Sequence, residues 1–318
     1  SSAILQSDKR VDMTIVLQPS DILVKDKIAP DAVFGARPRV AGDGQGNYVV
    51  VWEDSSTSSG QSLYDVWFQL FGTRGESRYK GAFLLTKEHQ PAVAMQQGGT
   101  ALSHFVVAWV RGSGGKGTIF SRGMDAKGQP DSLPGAGKPQ TLSLSALASR
   151  PHIAARLPSG YLAVWQEEDV SGGLYRVMGR VLDDHGRGMV SPTGQKAPFM
   201  LASFARTSAE PLPMVAADAM GGVMVAWNAG GAIMASAYAK VNGTLKLVRG
   251  NFQVAKSSTG QASQPDIAAL PYGYAVIWSD KSAFAPDTSG RCIKLRRFSA
   301  SGVALASEYI LNTTTSQD

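Results

Sequence analysis

The chain has a single cysteine, Cys292, and that scarcity removes an internal disulfide framework and any multi-cysteine metal site. Cys292 lies in the alternating stretch RCIKLRRF, where a small buried apolar role is expected rather than that of a nucleophile. Long hydrophobic runs are missing too. The longest, such as YVVVW at 48–52, are strand-sized, and none approaches the roughly 18–20 residues that a membrane helix needs. Long amphipathic helical stretches are also lacking while glycine is abundant, at 35 of 318 residues, so an all-β chain is expected. Charge of one sign is nowhere dense. The net charge is +6, but the basic residues are scattered singly, which argues against nucleic acid and leaves acidic partners such as an anionic glycan. There is no Gly-x-Ser-x-Gly elbow, phosphate loop, His-Glu-x-x-His pair or Ser-x-Asp-x-Gly-x-x-Trp box.

What the chain does contain is one phrase written five times. RPRVAGDGQGNYVVVW ends at Trp52, QPAVAMQQGGTALSHFVVAW at Trp109, and RPHIAARLPSGYLAVW at Trp165. LPMVAADAMGGVMVAW ends at Trp227 and QPDIAALPYGYAVIW at Trp278. The tryptophans stand 57, 56, 62 and 51 residues apart, a period that marks one supersecondary unit repeated. Each phrase reads as proline, strand, glycine turn and strand. A third alternating strand follows, closing on Gly75, Gly128, Gly186, Gly243 or Gly302, and then a fourth: AFLLTK, QTLSL, FMLAS, FQVAK or EYILN.

Four antiparallel strands repeated five times predict a five-bladed β-propeller, which shields its sheet edges by radial closure. Blades are expected at about 37–89, 90–149, 150–211, 212–263 and 264–318. The repeated tryptophans are expected between adjacent sheets, and each proline at the first residue of an innermost strand, where its missing N–H is tolerated. Residues 1–36 form a separate N-terminal arm, read as either a clasp at the seam or a partial blade.

The pattern resembles a tandem repeat of large secreted bacterial proteins of the calcium-repeat or adhesin type. Its consensus runs Gln-x-x-Pro-x-Val-Ala, then Gly-Gly-Phe-Val-Val-Val-Trp, and QASQPDIAALPYGYAVIW, the turn MDAKG and the tail YILNTTTSQD match it. The resemblance covers about residues 36–316 and implies an extracellular or surface protein of adhesion or assembly type, with no catalytic residue. The Asp-x-Asp-Gly loops of that repeat are replaced here by EDSSTSSGQS, VRGSGGKG and NAGG, so calcium is not expected, nor any other cofactor or metal. A first residue of Ser rather than Met fits removal of a signal segment, again an extracellular expectation. Asn242 and Asn312 match the glycosylation triplet, which matters only in a eukaryotic secretory route.

Function is sought where the copies differ. Residues beside the prolines and after the tryptophans should gather at one mouth of the channel, since loops vary while a frame stays fixed. The candidate binding surface is Arg37, Arg39, Gln90, Arg150, His152, Gln264 and Asp266, with Glu53, Glu167 and Asp280 on adjoining loops. Three readings follow. Unequal loops on an equal frame favour a non-catalytic module docking protein partners or further copies of the same chain. Basic and amide groups, with Tyr64, Tyr175 and Phe284 as stacking platforms, suit a glycan-binding propeller. A glycosidase needs carboxyls about 5–10 Å apart, for which Asp266, Glu53 and Glu167 are the candidates. The histidines His89, His104, His152 and His185 fall at different places in the unit, so no zinc site is expected.

Overall fold

The computed structural model describes residues 32–58, 61–83, 87–96, 104–131, 138–156, 159–206, 209–255, 261–281 and 291–312. The arm expected at 1–36 lies outside them as far as residue 31, as does Phe284. Among the described residues every long regular element is a β-strand, and twenty strands fall into five successive sets of four.

Unit 1 comprises β1 (Ala32–Gly42), β2 (Tyr48–Ser58), β3 (Gln61–Phe71) and β4 (Ser77–Phe83). Unit 2 has β5 (Glu88–Met95), β6 (Phe105–Ser113), β7 (Lys116–Met124) and the two-residue β8 (Gln140–Thr141). Unit 3 has β9 (Ala148–Ala155), β10 (Tyr161–Glu168), β11 (Leu174–Leu182) and β12 (Phe199–Ala205). Unit 4 has β13 (Met214–Ala217), β14 (Val223–Ala229), β15 (Ala232–Val241) and β16 (Thr244–Gln253). Unit 5 has β17 (Ala262–Leu270), β18 (Gly273–Asp280), β19 (Cys292–Phe298) and β20 (Tyr309–Ile310). Within each unit consecutive strands pair antiparallel, and one pair, Gly117↔Ala148, stitches units 2 and 3 into a single sheet. The all-β propeller expectation therefore holds.

Packing follows the repeat. Of the four apolar clusters, the first joins Val51, Phe68 and Leu70 of unit 1 to Val93, Phe105 and Trp109 of unit 2. The next three lie between units 2 and 3 around Trp165, units 3 and 4 around Trp227, and units 4 and 5 around Trp278. Trp109, Trp165, Trp227 and Trp278 are fully buried. Burying each is worth on the order of 4–6 kcal/mol of apolar transfer free energy, as an upper bound. Because unit 3 has a neighbour on both faces, β10 is buried at all eight positions and the usual in–out alternation is lost.

The proline of each phrase marks a second repeated device. The residue before it has a left-handed backbone in every unit, with φ of 52° at Arg37, 53° at Gln90, 55° at Arg150, 45° at Leu212 and 53° at Gln264. For non-glycine residues that conformation costs about 1–2 kcal/mol each. In units 1, 2, 3 and 5 the pairing of the first two strands steps over this dipeptide as a bulge, between Ala36 and Arg39 in unit 1 and between His89 and Ala92 in unit 2. β1 thus begins at Ala32, ahead of the boundary expected at 37, because the ladder continues across the bulge through Ala36↔Glu53 and Gly35↔Asp54.

In units 2, 3 and 4 the N–H of the residue before the proline lies outside the ladder and reaches the preceding unit. Gln90 N donates to Glu53 Oε1 at 2.6 Å, Arg150 N to Gln90 Oε1 at 2.6 Å, and Leu212 N to Gln166 Oε1 at 3.2 Å. Glu53 and Gln166 each follow a repeated tryptophan. In unit 2 that position is Val110, which has no acceptor, and the side chain of Gln90 takes over.

Candidate functional site

Two concavities are relevant to the expected surface. The first is a small hollow beside the prolines, to which unit 1 contributes Arg37 and Arg39, unit 2 Gln90 and Pro91, unit 3 Arg150 and His152, and unit 4 Leu212, Pro213 and Met214. Five of the candidate residues do converge there, but the space is only about 80 Å³. That is well below the roughly 300–1,000 Å³ of small-molecule sites.

Most of those side chains are also committed to the frame. Gln90 spends its Nε2 on Gly115 O at 2.9 Å as well as its Oε1 on Arg150 N. Arg150 pairs with Glu210, Nη2 to Oε2, at 2.9 Å. His152 Nδ1 accepts the N–H of Val215 at 3.2 Å, and burial is the main reason its pKa falls to about 4. The charge of Asp266 in unit 5 opposes that fall and the charge of Arg39 in unit 1 adds to it. Asp266 accepts the N–H of its neighbour Ile267, and Gln264 is exposed. Asp280 is no surface residue: it is fully buried and pairs with Lys294 Nζ at 2.8 Å. Glu167 is buried too, accepting Trp165 Nε1 at 2.8 Å, and burial raises its pKa.

The second concavity is larger. A cleft of about 550 Å³ lies between units 1 and 2, lined by Ala36, Arg37, Glu53, Tyr64, His89, Gly114 and Gly115. The register explains its wall. Glu53↔Val66 and Ser55↔Tyr64 are cross-strand pairs, so Glu53 and Tyr64 share one face of unit 1, turned toward unit 2. Tyr64 packs against His89 with ring centroids 4.6 Å apart. The floor approaches closely because unit 2 turns at Gly114 and Gly115, with φ of 64° and 75°.

Glu53 is the polar centre of this cleft. Arg37 Nη1 donates to Oε1 at 2.7 Å and to Oε2 at 3.1 Å, and His89 Nδ1 stands 3.9 Å from Oε2. Burial opposes its ionisation, but the nearby His89 ring, hydrogen bonds from Arg37 and the Gln90 N–H, and the charge of Arg37 outweigh burial and hold its pKa below the ordinary value. The site thus offers a fixed carboxylate, a guanidinium and an aromatic face. Tyr64 is legible in the sequence as a stacking candidate. His89 and the glycine floor are not, since only the docking of unit 2 on unit 1 brings them there. The carboxylates considered for glycoside cleavage are not assembled: neither Glu167 nor Asp266 lines the cleft that holds Glu53.

No protein-family model matches the chain, and no curated protein sequence matches it. Solved structures do align over most of its length. The α-L-arabinofuranosidase Arb93A of Fusarium graminearum aligns at 11% identity with a TM-score of 0.46, covering 90% of this chain and 94% of that one. The Penicillium chrysogenum α-L-arabinanase complexed with arabinobiose aligns at 10% identity and TM-score 0.44, covering 91% and 95%. A GH43 endo-arabinanase of Bacillus licheniformis aligns at 13% and 0.37, covering 71% and 80%. The likeness is one of fold. The expectation of a non-catalytic adhesion or assembly module is corrected here. The aligned structures are glycoside hydrolases, and of the side chains assigned to partner docking Gln90 and Asp280 are buried in the frame.

Proposed function

We propose that the protein is a carbohydrate-active propeller that holds a sugar in the cleft between units 1 and 2. The observation that carries this reading is the pairing of Tyr64 and His89 beside the Arg37–Glu53 ion pair in a cavity of about 550 Å³. Sugar rings present an apolar face flanked by hydroxyls, and such a site meets both: an aromatic wall for the face, and charged donors and acceptors for the hydroxyls. Arg37, whose side chain is 44% exposed, adds a preference for acidic or uronic groups. The repeat resemblance would place this activity outside the cell or at its surface, which fractionation of the native source tests.

Cleavage of the bound glycoside is the second reading. It is favoured by opposite pKa shifts in neighbouring carboxyls: Glu53 is lowered, while Asp65 is raised, first by burial and then by the charge of Asp54. Asp54 and Asp65 face each other across β2 and β3 on the opposite face from Glu53, so binding is the reading the geometry supports better. A glycan array followed by calorimetry with arabino-oligosaccharides and oligogalacturonides tests binding. Tyr64→Ala should weaken the best sugar about tenfold or more with the fold intact. No sugar bound by the wild type, or equal binding by the variant, overturns the site. Release of reducing ends, lost in Glu53→Gln, would decide for cleavage.

A further inference from the structure

On the far side of units 2 and 3, three residues that are distant in sequence meet. His104 stands just ahead of β6, Asp131 follows the turn after β7, and His185 sits in the turn after β11. One ligand atom from each lies within 4.8 Å of the other two. His104 Nδ1 is 3.7 Å from Asp131 Oδ2, and His185 Nδ1 is hydrogen-bonded to the same oxygen. The imidazoles meet edge to face with centroids 5.4 Å apart. Asp131 is buried, and His104 Nδ1 is shielded from solvent with no hydrogen-bond partner. A buried ring nitrogen left unpaired forfeits about 1–3 kcal/mol unless something binds it.

We propose that His104, Asp131 and His185 form a binding site for a divalent transition-metal ion of the zinc type, clamping unit 2 to unit 3. Two imidazoles and one carboxylate suit zinc and its neighbours, whereas calcium and magnesium take oxygen ligands. Donors about 2.0–2.1 Å from zinc lie about 3.3 Å apart, close to the His104–Asp131 spacing. The metal takes the place of the proton between His185 and Asp131, that proton leaves to solvent, and the pair opens to the same spacing. Asp184 Oδ1, 3.6 Å from His185 Nε2, supports the other ring nitrogen as carboxylates commonly do behind ligating histidines. His104 and His185 are only partly buried, leaving a fourth position for water. The backbone is shaped to this contact: a Cβ on Gly123 would lie 2.2 Å from His185 O, so only glycine lets the turn settle there.

The test is titration of the folded, chelator-treated full chain with Co²⁺ and then Zn²⁺, followed by visible absorption and calorimetry. One equivalent of Co²⁺ should give d–d bands that Zn²⁺ abolishes. The unfolding midpoint should rise on the order of 5 °C at a hundredfold excess over Kd, and EDTA should reverse it. His104→Gln, at a partly exposed position, should fold normally and bind at least about tenfold more weakly, as should Asp131→Asn. Absence of stoichiometric binding by the wild type overturns the proposal. So does binding that persists unchanged in both variants, which would place the ion on other groups.

Discussion

Glu53 accepts the backbone N–H of Gln90 at 2.6 Å while also holding Arg37 at 2.7 Å. One carboxylate thereby ties the first unit to the second and charges the wall of the cleft between them. The next link, Gln90 Oε1 to Arg150 N, repeats the tie one unit on. The frame and the candidate site share these atoms, so stability and binding are coupled there.

That coupling has a pH signature. The pKa of Glu53 is lowered in the fold, so its contribution is present above the unfolded value near 4.5 and is lost as pH falls through the folded value. Urea midpoints of the wild type should drop below about pH 5 more steeply than those of Glu53→Gln. Parallel profiles would remove Glu53 from this role.

Glu88 behaves oppositely. Burial raises its pKa to about 7 despite the Arg111 guanidinium 3.0 Å away. The folded state then binds the extra proton between about pH 4.5 and 7, and stability declines across that window by up to about 3 kcal/mol as pH rises. Glu88→Gln should flatten the decline and be more stable than the wild type at pH 8. Chemical denaturation from pH 5 to 8 reads the difference directly.

The pair Asp280–Lys294 is fully buried, with Glu308 3.7 Å from the same ammonium. Removing one partner leaves a charge in the core, so Lys294→Met should cost about 3–5 kcal/mol. The double variant Asp280→Leu/Lys294→Met should recover most of that loss. A double variant as unstable as the single one would show that packing, not charge, sets the penalty.

Left-handed Gln264 is exposed, with φ of 53°. Gln264→Gly removes backbone strain of about 1–2 kcal/mol and adds about 0.5–1 kcal/mol of unfolded-state entropy, for a net gain near 0.5 kcal/mol. Gln264→Val, β-branched at the same φ, should destabilise. A thermal melt of the two variants against the wild type checks both signs.

The frame was legible because its cause is local and periodic. Proline, alternating strands, glycine turn and tryptophan recur in one register, and any sheet carrying that pattern must bury it against copies of itself. The amide and carboxylate beside that pattern suggest surface chemistry, whereas Gln90 and Asp280 are buried in the frame. Whether Gln90 or Asp280 faces a ligand or a neighbouring backbone depends on how the units dock, and no residue spacing carries that information. By itself the sequence determined the strands, the repeated units and the tryptophan core. Only tertiary structure decided that the hollow beside the prolines of units 1 to 4 holds about 80 Å³ while a cleft of about 550 Å³ opens between units 1 and 2. The same docking brought His104, Asp131 and His185 together, because such contacts arise between units rather than within one.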